Sequence, residues 1–283
     1  MANKYSDWIG REETREDVLD LARSGALAAF LSSEDVLSMG DILPPLFHWI
    51  YFWDPKTPEE TGVDGHPRRG AFLPPVDTPR RMWASGKLRF PGDLRVGDSA
   101  RRVSVIKDVS EKSGRSGALT FVTVGHTISV GGRTCVEEDQ MLVYREPQSG
   151  EGAAATKPAA AELPTPDFSQ EFHPEPVALF RYSALTLNSH RIHYDHPYAT
   201  GVEGYPGLVV HGPLQATLLA LLAKSATRKT LASFSFRAMA PAFCGEGISL
   251  NASHADAGVD LWAAQGGVKT VAAMAGLREG EAS

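Results

Sequence analysis

The sequence predicts an α+β fold built twice, each half an antiparallel sheet wrapped around one buried helix. Three observations predict it. Residues 149–166, SGEGAAATKPAAAELPTP, hold few large apolar groups, cannot anchor a core and read as a linker. Short runs rich in β-branched residues lie on both sides, two of them ended by Gly-Gly pairs. Residues 213–223 are apolar nearly all round, the pattern of an enclosed helix. The expected units are residues 1–148, a linker over 149–170, and residues 171–283. A faint repeat agrees: Asp93-Leu-Arg-Val-Gly-Asp98 has the same context as Pro241-Ala-Phe-Cys-Gly-Glu246, 148 positions later.

In the first half, residues 14–24 form a polar helix candidate, and 33–37 a second helical stretch. Residues 43–52, LPPLFHWIYF, are an apolar, aromatic block that reads as buried, with a helix able to start at the prolines. Residues 54–79 are rich in Pro and Gly and read as loop. Strands follow at 101–108 and 118–130, with Gly125 a candidate bulge, then a Gly131-Gly132 hairpin turn and a return strand over 134–145. The second half opens with an expected strand over 178–187 and a polar, His-rich stretch over 188–196. A loop to Val210 leads into the apolar helix. Four strands are expected near 231–239, 246–253, 259–265 and 268–276, with Gly266-Gly267 as a hairpin turn.

Composition excludes several classes. A chain of 283 residues is one large domain or two of about 140. With 42% hydrophobic residues it can build a core. A net charge of −6 argues against a nucleic-acid coat. No apolar run is long enough for a membrane span, and the first residues carry no signal-peptide core, so a cytoplasmic protein with no membrane partner is expected. Two distant cysteines, Cys135 and Cys244, exclude a disulfide scaffold and a cysteine-based zinc site.

Histidine carries the chemistry. His190, His193, His196 and His211 fall in one short window, around Asn188-Ser-His-Arg-Ile-His-Tyr-Asp195. Such a cluster can be a polar surface loop. The three-residue spacing also lets pairs share a helical face as metal ligands, with Asp195 as the one nearby carboxylate. Acid–base catalysis is the favoured reading, because imidazole both takes and gives a proton near neutral pH, and no metal is expected. The second element is His211-Gly212-Pro213. Pro213 suits a first helical position, and free N–H groups at a helix start can polarise a carbonyl oxygen and stabilise an enolate. Gly212 can equally be a simple turn.

These residues carry a resemblance. The stretch Phe180-Arg-Tyr-Ser-Ala-Leu-Thr-Leu-Asn-Ser-His-Arg-Ile-His-Tyr-Asp195, the His211-Gly212 step, Pro79-Arg-Arg-Met-Trp-Ala-Ser-Gly86 and Phe234-Ser-Phe-Arg-Ala-Met-Ala-Pro241 are similar to the MaoC-like (hydratase 2) family. Within it they resemble the itaconyl-CoA and mesaconyl-C4-CoA hydratases and the type 2 hydroxyacyl-thioester dehydratases. The resemblance covers nearly the whole chain, least at the linker. It implies a double hotdog with one active site between the halves, and reversible addition of water to an α,β-unsaturated acyl-CoA. It implies an acyl-CoA partner, no cofactor beyond it, and allows a homodimer. His193 matches the family's catalytic histidine, and Gly212 the residue whose N–H holds the thioester oxygen. The family's aspartate is Asn188 here and its asparagine is His190. Asn188 cannot exchange a proton at neutral pH but can orient water, so His193 acts alone, or His190 or Asp195 supplies the second function.

A dicarboxylic substrate such as itaconyl-CoA or mesaconyl-C4-CoA needs a cation for its free carboxylate. Arg181, Arg191, Arg237, Arg80 and Arg81 are candidates, Arg191 being nearest the motif, and Trp83 can line the pocket. His190, His211 and Asp195 complete the expected binding set. Two other functions remain open: a (3R)-hydroxyacyl-thioester dehydratase of fatty-acid synthesis, and a non-catalytic acyl-binding subunit.

Overall fold

The computed structural model describes residues 4–31, 36–114, 117–146 and 163–279. Ten strands form one antiparallel sheet: β1 (Glu12–Val18), β2 (Arg80–Arg89), β3 (Ser99–Gly114), β4 (Gly117–Val130), β5 (Arg133–Arg145), β6 (Phe168–Phe172), β7 (Leu231–Ala238), β8 (Ile248–Ala255), β9 (Gly258–Gln265) and β10 (Val268–Leu277). Their order is β1-β3-β4-β5-β2-β7-β10-β9-β8-β6. Matching β1–β5 to β6–β10 in turn makes this order read the same from both ends. The halves join where β2 pairs with β7, Gly86 opposite Phe236.

The faint repeat has a structural counterpart. Leu43 N–H donates to Leu94 O (2.8 Å) and Val96 N–H to Asp41 O (2.9 Å). Val210 N–H donates to Ala242 O (2.8 Å) and Cys244 N–H to Leu208 O (2.9 Å). Gly97 and Gly245 follow with φ of 96° and 88°.

Among the described residues four α-helices complete the fold: α1 (Leu21–Phe30), α2 (Pro176–Thr186), α3 (His196–Gly201) and α4 (Gly212–Thr227). The long helix α4 lies against β7–β10. It buries Leu214, Ala216, Leu218, Leu219, Ala220, Leu222 and Ala223, each leucine worth about 2 kcal/mol of apolar burial. At the corresponding place in the first half, after Leu43, stands only a 3-10 turn, Phe47–Ile50. This turn and α1 supply Phe47, Ile50 and Leu27 to the same apolar core as α4. Among the described residues no helix is long and apolar enough to cross a membrane.

The strands expected over 101–108, 118–130 and 134–145, and the four near 231–276, form as β3–β5 and β7–β10, and both Gly-Gly pairs turn hairpins with positive φ. The irregularity expected at Gly125 lies instead on the neighbouring strand, at Lys107 of β3, where the register shifts between Ile106 and Asp108, while Gly125 pairs regularly with Val105. The expected strand over 178–187 is helix α2. Pro176 opens it and Leu179, Tyr182 and Ser183 are buried, a period of three to four rather than two. The helix expected over 14–24 splits into β1 and the start of α1. β1 alternates exposed and half-buried charged residues, as edge strands do, and Asp20 caps α1 by accepting from Arg23 N–H at 2.9 Å. Most of the helical stretch over 33–37 lies outside the described residues, and 36–37 are not helical. Most of the expected linker also lies outside them, and β6 begins within its last residues. β2 was not anticipated: its Arg, Lys, Ser and Gly residues hide a strand that pairs on both sides.

Candidate active site

The central cavity, about 620 Å3, lies where loops of both halves meet above the start of α4. Its wall includes Asn188, His190, His193, His211 and Gly212 from the second half. A second cavity of about 410 Å3 lies in the first half. Arg81, Trp83, Asn188 and Pro213 line both.

The polar stretch is folded by its own side chains. Leu187 turns the chain out of α2 with φ of 50°, and Asn188 N–H donates to Ser183 O (2.8 Å). Asn188 Oδ1 accepts from His190 N–H at 3.1 Å. A 3-10 turn over Arg191–His193 then aims His193 inward. His193 Nδ1 lies 2.7 Å from Val209 O, which only accepts, so Nδ1 carries the proton and Nε2 is bare. Burial pushes the His193 pKa down to about 3, despite the Val209 bond, so the ring is neutral at neutral pH.

His211 stacks on His193 with centroids 3.6 Å apart and planes 18° apart. His211 Nε2 meets Ser183 Oγ at 2.9 Å, and its buried Nδ1 has no partner. A proton on Nε2 therefore costs least, because an orphaned lone pair is cheaper than an orphaned N–H. Burial holds this ring far below the usual histidine pKa. Gly212 opens α4, whose first-turn N–H groups have no partner within the helix. A Cβ placed on Gly212 meets nothing within 4 Å, so the backbone faces open cavity.

Two residues that the sequence reading missed complete the wall. The loop carrying Asp64 and His66 comes from the first half and is laced onto the polar stretch. Arg191 N–H donates to Asp64 O (2.9 Å), Arg191 Nη1 to Val63 O (3.0 Å), and Ser189 Oγ to Gly65 O. Gly65 has φ of 90°, and a Cβ there would fall 1.8 Å from Ser189 O, so only glycine allows this approach. Asp64 Oδ1 accepts from His66 N–H (3.0 Å), and Oδ2 lies 3.1 Å from His66 Nδ1. His66 Nε2 is thereby bare. Burial and the nearby Arg81 lower His66 to about 4, against the pull of Asp64. Burial alone would raise Asp64, but its bonds from His66 hold it well below the carboxylate range. His190 lies between, 4.1 Å from the His66 ring and 5.6 Å from His193, lowered to about 3 by burial and His66. Donor atoms of Asp64, His66 and His190 lie within 4.8 Å of one another, close enough to surround a cation. His66 Nδ1 is already engaged, however, and Arg81 places positive charge beside both rings.

The remaining expected residues divide. Trp83 lines the cavity, its Nε1–H donating to Ser85 O (2.9 Å) and its ring packed on Trp49 and Phe236. Arg191 and Asp195 do not line it: Arg191 Nε and Nη2 hold Asp195 Oδ2 at 2.9 and 2.7 Å, while Asp195 Oδ1 caps α3. Arg181 and Arg237 are exposed and away from both cavities, their strand and helix faces pointing outward. His196 is exposed at the start of α3. The signal for this pair is slight: Asp64-Gly-His66-Pro67, a short polar cluster in a stretch rich in Pro and Gly.

Fold and site together define a MaoC-like double hotdog. A solved MaoC-like dehydratase superposes with a TM-score of 0.70 at 14% identity, over 95% of this chain and 98% of that one. A Mycobacterium tuberculosis protein described as having a double hotdog fold gives 0.59 at 15% identity, over 95% and 96%. In sequence, the mesaconyl-C(4)-CoA hydratase of Chloroflexus aurantiacus is 50% identical over 240 residues, 83% of this chain and 84% of its own. Residues 46–244 match the hydroxyacyl-thioester dehydratase type 2 family, and the chain belongs to that family.

Proposed function

We propose that this protein reversibly adds water across the α,β double bond of a short dicarboxylic acyl-CoA of the mesaconyl-C4-CoA kind. The observation that carries the proposal is the pairing of a bare, neutral His193 Nε2 with the open first turn of α4 at Gly212, in one cavity. His193 Nε2 takes a proton from water as the water oxygen bonds to the β-carbon. The electron pair of the double bond moves to the thioester oxygen, which Gly212 N–H and the positive end of α4 stabilise. The imidazolium then returns that proton to the α-carbon, leaving His193 as it began. Asn188 orients the water through its amide, and His66 Nε2 offers the second water proton an acceptor. Side chains and backbone of this chain carry every step, with CoA entering as part of the substrate. The two free cysteines suit a reducing, cytoplasmic compartment.

The alternative of a long fatty-acyl substrate fits the adjoining cavity poorly. That cavity holds Glu138, buried and bonded to His48 (3.2 Å) and Trp49 (3.1 Å), together with His126 and Arg102. Packing a hydrocarbon tail against such groups costs free energy. The deciding experiment offers mesaconyl-C4-, itaconyl- and crotonyl-CoA and follows loss of enoyl-thioester absorbance. Turnover of the diacids is expected, and turnover of crotonyl-CoA alone would refute the substrate class. His193→Ala is expected to cost about 100- to 10,000-fold in kcat. A fully folded variant with undiminished rate would remove His193 from the chemistry.

A further inference from the structure

Arg81 is a cation without a counter-charge. It stands on β2, half-buried, where the two cavities meet. Among the described residues its side chain makes no hydrogen bond or ion pair. Several of the surrounding arginines are committed elsewhere. Arg80 Nε holds Glu203 at 2.8 Å, and Arg69 donates to the carbonyls of Val76, Thr78 and Pro79. Arg15 pairs with Glu13 and Asp54, and Arg191 with Asp195. Of the carboxylates in the two cavities, Asp64 is occupied by His66, Glu203 by Arg80 and Glu138 by His48 and Trp49. The rings of His66 and His190 beside Arg81 are neutral and offer no compensation. Removing a guanidinium from water without a partner is costly, and a bound anion reverses the cost.

We infer that Arg81 is the specificity-determining residue of this site and binds the free carboxylate of a dicarboxylic acyl thioester. The inference rests on the proposed function and names the residue that selects its substrate class. The geometry suits it. Pro213, next to Gly212, and Asn188 line the same junction as Arg81. In a four-carbon diacid the two carbonyl carbons are separated by three bonds of about 1.5 Å. A thioester oxygen at Gly212 therefore leaves the free carboxylate inside the cavity rather than at its mouth. The planar guanidinium can take both carboxylate oxygens at once. It also lies beside the neutral His66.

Both the free carboxylate and the phosphates of CoA are anions, and the test separates them. Isothermal titration compares methylsuccinyl-CoA with butyryl-CoA, which carry the same CoA and differ in the free carboxylate. The native protein should bind the diacid more tightly. Arg81→Gln should weaken methylsuccinyl-CoA at least about 30-fold and leave butyryl-CoA within about threefold. Equal weakening of both would place a CoA phosphate on Arg81 and overturn the inference, as would a native protein with no preference. Should Arg81→Gln not fold, Arg81→Lys keeps the charge but loses the two-point contact. About tenfold selective weakening of the diacid then supports the inference, and unchanged selectivity refutes it. Binding needs no turnover. A native protein that prefers the diacid yet hydrates no enoyl-CoA would refute the proposed reaction and leave Arg81's role standing.

Discussion

His193 and His211 lie face to face, ring centroids 3.6 Å apart, in an interior that leaves neither room for charge. Two stacked imidazolium ions would repel strongly there, so both rings stay neutral. Stability should follow. His190 and His193 titrate near 6.5 when unfolded and near 3 when folded. Their contribution is complete above pH 6.5 and is lost as pH falls toward 3, because only the unfolded chain takes up the protons. Each such group removes up to about 1.4 kcal/mol per pH unit in that window. Urea midpoints at pH 7.5 and 5.0 should therefore differ clearly, the lower at pH 5.0. Equal midpoints would show that the rings are not held neutral.

The proposed proton transfers carry the same neutrality into the pH profile. With His66 near 4 and His190 and His193 near 3, kcat/KM should show no histidine limb between pH 5.5 and 8. A half-maximal point near 6.5 in the pH profile would contradict this.

Gly65→Ala should be among the most damaging single changes. The new methyl would meet Ser189 O, and a positive φ costs an L-residue about 1–2 kcal/mol. The loop carrying Asp64 and His66 should leave the polar stretch. Activity should fall by an order of magnitude or more while the ten-stranded sheet keeps its circular-dichroism signature. Native kinetics in Gly65→Ala would show that the loop has no part in the site.

Asn188→Asp separates the two ends of one amide. Aspartate keeps an oxygen to accept the His190 N–H, so the melting temperature should hold within about 2 °C. It loses the Nδ2 donor. If that donor orients the water, kcat should drop about tenfold or more with KM little changed. Undiminished kcat would leave the amide a purely structural part.

Arg191→Gln offers a contrast with Arg81. Arg191 ties Val63 and Asp195 together and does not line the cavity. Its loss should lower kcat/KM for mono- and dicarboxylic thioesters alike. A selective loss on diacids would reassign the carboxylate to Arg191.

What the sequence disclosed follows the range of the interactions involved. Helix α4 is apolar nearly all round over residues 213–223, and β3–β5 alternate around a Gly-Gly turn, so local pattern reveals both. Helix α2 was misread because Ala178–Leu187 mixes exposed Phe180 with buried Leu179 and Tyr182, which fits period two as well as four. β2 owes its place to partners on either side rather than to its own residues. The site divides the same way. Asn188, His193 and Gly212 belong to a compact stretch whose own bonds shape it. Asp64 and His66 reach it across more than a hundred residues, through backbone bonds that no spacing reveals. Nor could the arginines be sorted in advance, since what distinguishes Arg81 from Arg80 or Arg191 is the company each keeps in three dimensions.

The short turn Phe47–Ile50, standing where its sister half has sixteen residues of helix, sets a stoichiometry. A symmetric pair of identical hotdogs would present two helix starts and two equivalent reaction centres. Here the start of α4 shares its cavity with His193, and the space opposite is given over to Glu138, His48 and Arg102. Each polypeptide should thus saturate with a single acyl thioester. The two-fold plan of the sheet is thus kept while its two sides carry different contents.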